Sequence, residues 1–339
     1  MRWIMLLLLA LNGAPLWAKC APGPVSEQRF VEAGGIKQWM TIEGGNCANP
    51  VVLYVHGGPG NPLSPYGDAM FAAWRKHYTV VLWDQRGSGM TYGANPAPGE
   101  DERLTIERLR DDGLAVAQLV ADHLGQRKLI LMGSSWGSVL AVHMARARPE
   151  LFHAYVGVSQ VVNGQENNAD AYAGVLALAR KASDAEQQPR LEALGNPPWT
   201  NPRNFGVMRR AIRKYEAMAT DAAPKQWWQP GAIYTTAKAQ ADYEAGEDYS
   251  FLQFVGLRGD GMQSKIDLRS LGMEFKLPVY LVQGEQDLLT SAAVTRRYFD
   301  QIKAPRKELV LVPRAGHDPN QPLMDAQFKV LEERVRPAL

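Results

Sequence analysis

Leu129-Ile130-Leu131-Met132-Gly133-Ser134-Ser135-Trp136-Gly137 is the stretch whose reading decides the architecture. Its first four residues are apolar without a break, which fits a strand buried on both faces, as in a parallel sheet. Gly133 to Gly137 then matches G-x-S-x-G, and Val139 to Ala147 follows as a helix-like stretch. Strand, sharp turn and helix in that order are the setting of a nucleophile elbow. Such a turn strains the backbone of its central serine, so the neighbours two residues away must be tiny. Gly133 and Gly137 meet that need, and Ser135 is the candidate nucleophile. A serine in an ordinary βα turn would match the same five letters by chance; the flanking strand and helix argue against it.

Working outward, the same apolar pattern recurs. Gln38 to Glu43 alternates weakly, and Val51 to Val55, Thr79 to Trp83, Tyr155 to Val158, Val279 to Val282 and Leu309 to Val312 are strand candidates. Leu104 to Leu124 has helical spacing at Ile106, Leu109, Val116, Val120 and Leu124. A closing helix shows one apolar face at Met324, Phe328, Leu331 and Val335. Strands alternating with helices imply right-handed crossovers and an α/β layered domain with a mostly parallel sheet. Residues 163–264 break the pattern: strand-like runs are scarce, and helical spacing appears at Tyr172, Val175, Leu176 and Ala179 and again at Met208, Ala211, Ile212, Tyr215 and Met218. The expected organisation is a core over 19–162 and 265–339, split by a mainly helical cap over 163–264. A second independent domain is the other reading of that middle third.

A serine needs a base to take its proton, and the base a carboxylate to hold it. Behind an elbow of this kind the chain order is nucleophile, acid, histidine, with the last two after late strands. Asp287 follows Val279 to Val282, and His317 follows Leu309 to Val312. Glu285 is a rival acid, nearer its strand end. The other histidines follow no late strand; His56 sits in a glycine-rich loop, where bracing by hydrogen bonds is expected of it. The oxyanion of an acyl transfer needs N–H donors. Trp136, directly after the nucleophile, and Gly58, in His56-Gly57-Gly58-Pro59-Gly60 after an early strand, are the candidates. Asp84 precedes the serine and is expected to fix a loop.

Composition narrows the rest. The 339 residues carry 37 basic and 35 acidic side chains, so no basic surplus points to nucleic acid. Residues 1–18 have a positive start, the apolar run Trp3 to Leu11 and a small residue at Ala18, which fits a cleaved signal peptide, with an uncleaved anchor as the other reading. A periplasmic or secreted location follows, with no stable membrane insertion after cleavage. In that setting Cys20 and Cys47, the only two cysteines, are expected to form a disulfide; without export they would be two thiols. No metal or organic cofactor is implied.

Together, His56 to Gly60, Asp84-Gln85-Arg86-Gly87-Ser88-Gly89 and Gly133 to Gly137 resemble the prolyl iminopeptidase family of α/β-hydrolases, which pairs an HGGPG loop with a DQRG-x-G loop and a G-x-S-W-G elbow. The resemblance is close over 35–160, looser over 275–325 and poor over the insertion. It implies an α/β-hydrolase fold, a cap over the active site and removal of an N-terminal residue, often proline, from small peptides. It also implies glutamates in the cap that hold the substrate amine, one of them just after a tryptophan. Here Trp227-Trp228 is followed by Gln229, and Glu244 in Asp242-Tyr243-Glu244 is the candidate for the second acidic position. Glu166 and Glu216 are carboxylates without a motif. Trp199, Trp227 and Trp228 would either line the cap or fill its core. The departure at Gln229 keeps a carboxylesterase acting on small or medium esters open. A non-catalytic binding protein is opposed by the full set of Ser135, Asp287 and His317, and an epoxide or haloalkane hydrolase by a serine where those enzymes carry aspartate.

Overall fold

The computed structural model describes residues 23–95 and 103–339. One eight-stranded sheet runs in the order β1-β2-β4-β3-β5-β6-β7-β8. Its first strands, β1 (Val25–Ala33) and β2 (Ile36–Gly44), form an antiparallel hairpin, and β2 is antiparallel to β4 (Thr79–Trp83). From β4 through β3 (Val51–Val55), β5 (Leu129–Ser134), β6 (Phe152–Val158), β7 (Val279–Gly284) and β8 (Lys307–Val312) every pairing is parallel. The fold is therefore an α/β-hydrolase fold, with a mostly parallel sheet flanked by helices.

Both faces of the central strands are covered, which is why those strands are apolar without alternation. Leu53, Val55, Val81, Leu131 and Leu281 face one core, shared with Val116 and Val120 of α3 (Ile106–Leu124) and Leu140 and Met144 of α4 (Trp136–Ala147). Val52, Tyr54, Val80, Ile130 and Met132 face the other, with Met324, Leu331 and Val335 from the closing helix. Each such side chain removed from water contributes roughly 1.5–3 kcal/mol before ordering costs. Short helices α1 (Gly67–Met70) and α2 (Gly89–Ala94) lie in the loops after β3 and β4. The helix foreseen from Leu104 begins at Ile106, because the Thr105 side chain caps it by accepting the Arg108 N–H.

The sequence pattern missed β1. Only Val25, Val31 and Ala33 of its nine residues are buried, since an edge strand exposes most of its length and needs no apolar run.

Between β6 and β7 the chain is helical: α5 (Gly164–Lys181), α6 (Gln187–Leu194), α7 (Pro202–Ala217) and α8 (Ala237–Val255). Tyr172, Val175, Leu176, Ala179, Met208, Ala211, Ile212 and Tyr215, whose helical spacing stood out, form a core of their own with Leu191, whereas Met218, at the end of that spacing, is exposed because α7 has ended at Ala217. Trp199 belongs to that core and Trp227 to the core of the sheet. After β7 come α9 (Ala292–Gln301) and α10 (Gln321–Val330), which continues through a wider turn over Leu331–Val335. No helix among the described residues is long and apolar enough to cross a membrane. Residues 1–18 and Cys20 lie outside the described residues, and so does the expected Cys20–Cys47 pairing; Cys47 itself is buried.

The elbow brings main chain close to main chain. A Cβ on Gly133 would lie 2.3 Å from the Gly137 carbonyl oxygen, and one on Gly137 would lie 2.0 Å from that of Val55. Both obstacles are main chain and cannot swing aside. Gly137→Ala is expected to destabilise the protein by about 3 kcal/mol or more, the range in which backbone clashes in a packed core fall. Urea unfolding checks this; a midpoint equal to that of the native protein would show that α4 can lift off β3 without cost.

Candidate active site

Ser135, Asp287 and His317 each sit just beyond the C-terminal end of a parallel strand, where sheets of this type place their sites. Ser135 follows β5 with φ 53° and ψ −123°, a conformation L-residues rarely adopt. Its N–H is bound to the Val158 carbonyl at 2.9 Å, and α4 begins at the next residue, so the strain of roughly 1–3 kcal/mol is held from both sides. Ser135 Oγ is 2.9 Å from His317 Nε2, and His317 Nδ1 is 3.0 and 3.2 Å from the two Asp287 oxygens. An ionised carboxylate only accepts, so Nδ1 carries the hydrogen and Nε2 presents a lone pair to the serine hydroxyl. Glu285, the rival acid, is exposed and outside this contact.

Asp287 is buried and surrounded by donors. It accepts from Gln283 Nε2 at 2.8 Å, Leu289 N–H at 2.9 Å, Thr290 N–H at 2.7 Å and Thr290 Oγ1 at 2.7 Å. Burial opposes its charge, but His317 and the Thr290 donors outweigh that and hold the carboxyl below its usual range. For His317 burial likewise opposes the charged ring, and Asp287 prevails, raising it above 6.5. Gln283 and Thr290 had no sequence signal; each is an ordinary polar residue whose role exists only because the β7 turn folds it under Asp287.

The glycine-rich loop after β3 covers the serine. A Cβ on Gly57 would lie 3.1 Å from Ser135 Cβ and from the Ser134 carbonyl oxygen, so the loop packs tightly over the serine. Gly58 follows with φ +107° and lines the cavity, as does Trp136. Trp136 opens α4, so its N–H is among those a helix leaves without an internal partner. Both candidate oxyanion donors thus border the space above Ser135.

The loop after β4 braces this arrangement. His56 Nε2 accepts the Gln85 N–H at 3.2 Å, so Nδ1 is the donor to the Gly57 carbonyl at 2.8 Å. Burial pushes its ring down to about 4, so it is a neutral strut. Gln85 donates to the His56 carbonyl at 2.9 Å and accepts the Trp136 indole N–H at 3.0 Å. Asp84 accepts from Ser64 Oγ and Met90 N–H at 2.6 and 2.9 Å, and its carboxyl is pushed up to about 7 by burial. Among the described residues no group of three or more His, Cys, Asp or Glu could hold a metal ion.

Above the serine lies a cavity of about 980 Å³, at the upper end of ordinary small-molecule sites. Five carboxylates line it: Glu216 from α7, Asp221 after that helix, Glu247 and Asp248 from α8, and Asp318 beside His317. Asp318 is paired with Arg209 and Arg213, which also line the cavity, and Asp221 with Arg314. Trp228 lines it too, against Tyr66. Gln229 and Glu244, the positions suggested by the family pattern, are exposed and outside the lining. On α8, Tyr243 and Glu247 lie one turn apart and share the inner face, whereas Glu244 is rotated about 100° away from Tyr243. Glu166 is bound to Arg269 and Arg297. Glu247 and Asp248 escaped the sequence reading because no motif marks them; for Glu247 the helical spacing from Tyr243 was the available signal.

Comparison with known proteins bears on the fold and the family. A family model described as the alpha/beta hydrolase fold matches residues 50–320. A probable aminopeptidase of Bacillus subtilis, YbaC, is 30% identical over 303 residues, covering 87% of this chain and 92% of its own length. The proline iminopeptidase of Neisseria gonorrhoeae is 27% identical, covering 90% and 94%. The crystal structure of a Mycobacterium smegmatis proline iminopeptidase superposes with a TM-score of 0.64 at 20% identity, covering 92% and 96%. The chain belongs to the α/β-hydrolase fold family, among its proline iminopeptidase-like members, and it is a hydrolase.

The Asp287 contact makes a direct prediction. Titration of His317 followed by NMR is expected to give a pKa above 6.5 in the native protein and at least about one unit lower in Asp287→Asn, as removal of an adjacent opposite charge requires. Equal values in the two proteins would mean that the carboxylate does not act on the ring.

Proposed function

We propose that this hydrolase is an exported serine aminopeptidase of prolyl iminopeptidase type, releasing an N-terminal residue, proline above all, from small peptides. The observation that carries the reading is the relay from Asp287 through His317 to Ser135 on the floor of a cavity lined by carboxylates. Ser135 Oγ attacks the carbonyl of the N-terminal residue while His317 Nε2 takes its proton. The tetrahedral oxyanion is met by the Gly58 and Trp136 N–H groups, each donor contributing about 3–4 kcal/mol. His317 returns the proton to the leaving amine, the acyl-enzyme forms on Ser135, and water attacks it by the same route in reverse. The helical segment 163–264 is the cap, and Glu247 and Asp248 of α8 supply the negative charge that a substrate ammonium needs on leaving water. The names of the relatives above support the same substrate class.

A carboxylesterase is the second reading, favoured by Gln229 in place of the family's glutamate. Hydrolysis of a proline arylamide beside an uncharged aryl ester of similar size separates the two. The arylamide is expected to be turned over, and Ser135→Ala to lower its kcat by about 10⁴-fold or more. Glu247→Gln is expected to raise KM for the arylamide several-fold and leave the ester unaffected. Ester turnover with no arylamide turnover would defeat the peptidase reading.

Since hydrolysis requires neutral His317, activity should fall as pH drops through its raised pKa, placing the acid limb of kcat/KM above 6.5. A limb well below 6.5 would assign the base elsewhere. For export, the expected mature N-terminus is Lys19, with Cys20 and Cys47 joined. Intact mass of the protein from its native host checks both at once, and retention of residues 1–18 would refute cleavage.

A further inference from the structure

Glu216 stands on α7, in the helical layer, yet its carboxylate is spent on the two loops that carry Asp287 and His317. Oε1 accepts the Leu288 N–H at 2.8 Å and Oε2 accepts the His317 N–H at 3.2 Å. Leu288 directly follows Asp287. Gly316 directly precedes His317, and a Cβ there would lie 2.8 Å from Oε2, so the loop is shaped to receive this oxygen. The residue is only 5% exposed. These loops leave different strands, β7 and β8, and one side chain from outside the sheet spans both.

We propose that Glu216 is a positioning residue: it fixes the loop of Asp287 against the loop of His317, so that His317 is productive only while the helical layer is seated. This rests on the serine-hydrolase reading above and adds that the layer completes the machinery instead of only shaping the cavity. The physical argument has two parts. Two main-chain donors converge on one point, and a buried donor left without an acceptor costs about 1–3 kcal/mol, so without the carboxylate the loops would turn to find other partners. The relay they carry is short at both joints, 3.0 Å at Asp287 and 2.9 Å at Ser135. A displacement of about 1 Å in such a contact costs on the order of 10²-fold in rate.

An alternative role for Glu216 is as a ligand for the substrate ammonium alone, and the two roles separate cleanly. A ligand affects only substrates that carry the ammonium. A positioning residue affects every reaction of Ser135, including those of small uncharged reagents. The experiment measures the rate of Ser135 labelling by a fluorophosphonate, and kcat and KM for an uncharged aryl acetate, in the native protein, Glu216→Gln and Glu216→Ala. Gln keeps the volume and one acceptor but turns donors toward the second N–H; Ala removes both contacts and is the more severe change.

Labelling and ester kcat are expected to fall about 10-fold in Glu216→Gln and further in Glu216→Ala, with KM for the ester changed less than about twofold. Thermal unfolding shows that the variants are folded, and Glu216→Gln carries the test if Glu216→Ala is not. Native labelling and ester turnover in Glu216→Gln, with loss confined to substrates bearing a free amine, would overturn the positioning role and leave the hydrolase reading intact. A native protein that is not labelled at all would overturn that reading and the positioning role with it.

Discussion

The close approach of α4 to β3 is the constraint on which the rest of the site depends. With Gly137 lying against the Val55 carbonyl and Gly133 against Gly137, the helix starts at once after the strand, and Ser135 is forced to φ 53°. That conformation projects Oγ away from the sheet. It also places the start of α4 beside the space above it, so one turn carries both the candidate nucleophile and the Trp136 N–H. The strain is affordable because it is spread over a core in which Leu53, Leu131, Val139 and Leu140 are fully buried.

Electrostatics then divides the titratable groups into those that hold charge and those that do not. Asp287 keeps its charge in the interior because four donors and an imidazole surround it. His56 and Asp84, equally buried, lack an opposite charge, and burial moves both toward the neutral form. The same low dielectric thus yields a poised relay in one loop and inert struts in its neighbours. The difference lies in the partners, and the partners are set by which strand ends adjoin.

The core was legible in the sequence for a simple reason: strands covered on both faces must be apolar throughout, so β3, β4, β5 and β7 announced themselves. Ser135, Asp287 and His317 were legible because their chain order and their places after strands are fixed by the elbow's geometry. The edge strand β1 was hidden by its polar face. The cap's contribution was hidden for a different reason. Gln229 and Glu244 came from a pattern transferred to a region where resemblance is weakest, and the inward face of α8 is set by packing against the DQRG loop, where Ser250 donates to the Gly87 carbonyl at 2.6 Å. Glu216 looked like any surface carboxylate in a helix that also carries Arg209, Arg210, Arg213 and Lys214. Only the tertiary fold shows that it points inward while its basic neighbour Arg210 faces solvent.

Ser135 and His317 are 182 residues apart, with the helical layer between them in the chain. Their meeting has a consequence for the order of synthesis. A ribosome finishes the elbow, its strained serine and the glycine-rich loop long before the base exists. The contact between Ser135 and His317 then waits until β8 has been made and added beside β7. The two halves of the candidate site therefore meet only when the last strand joins the edge of the sheet.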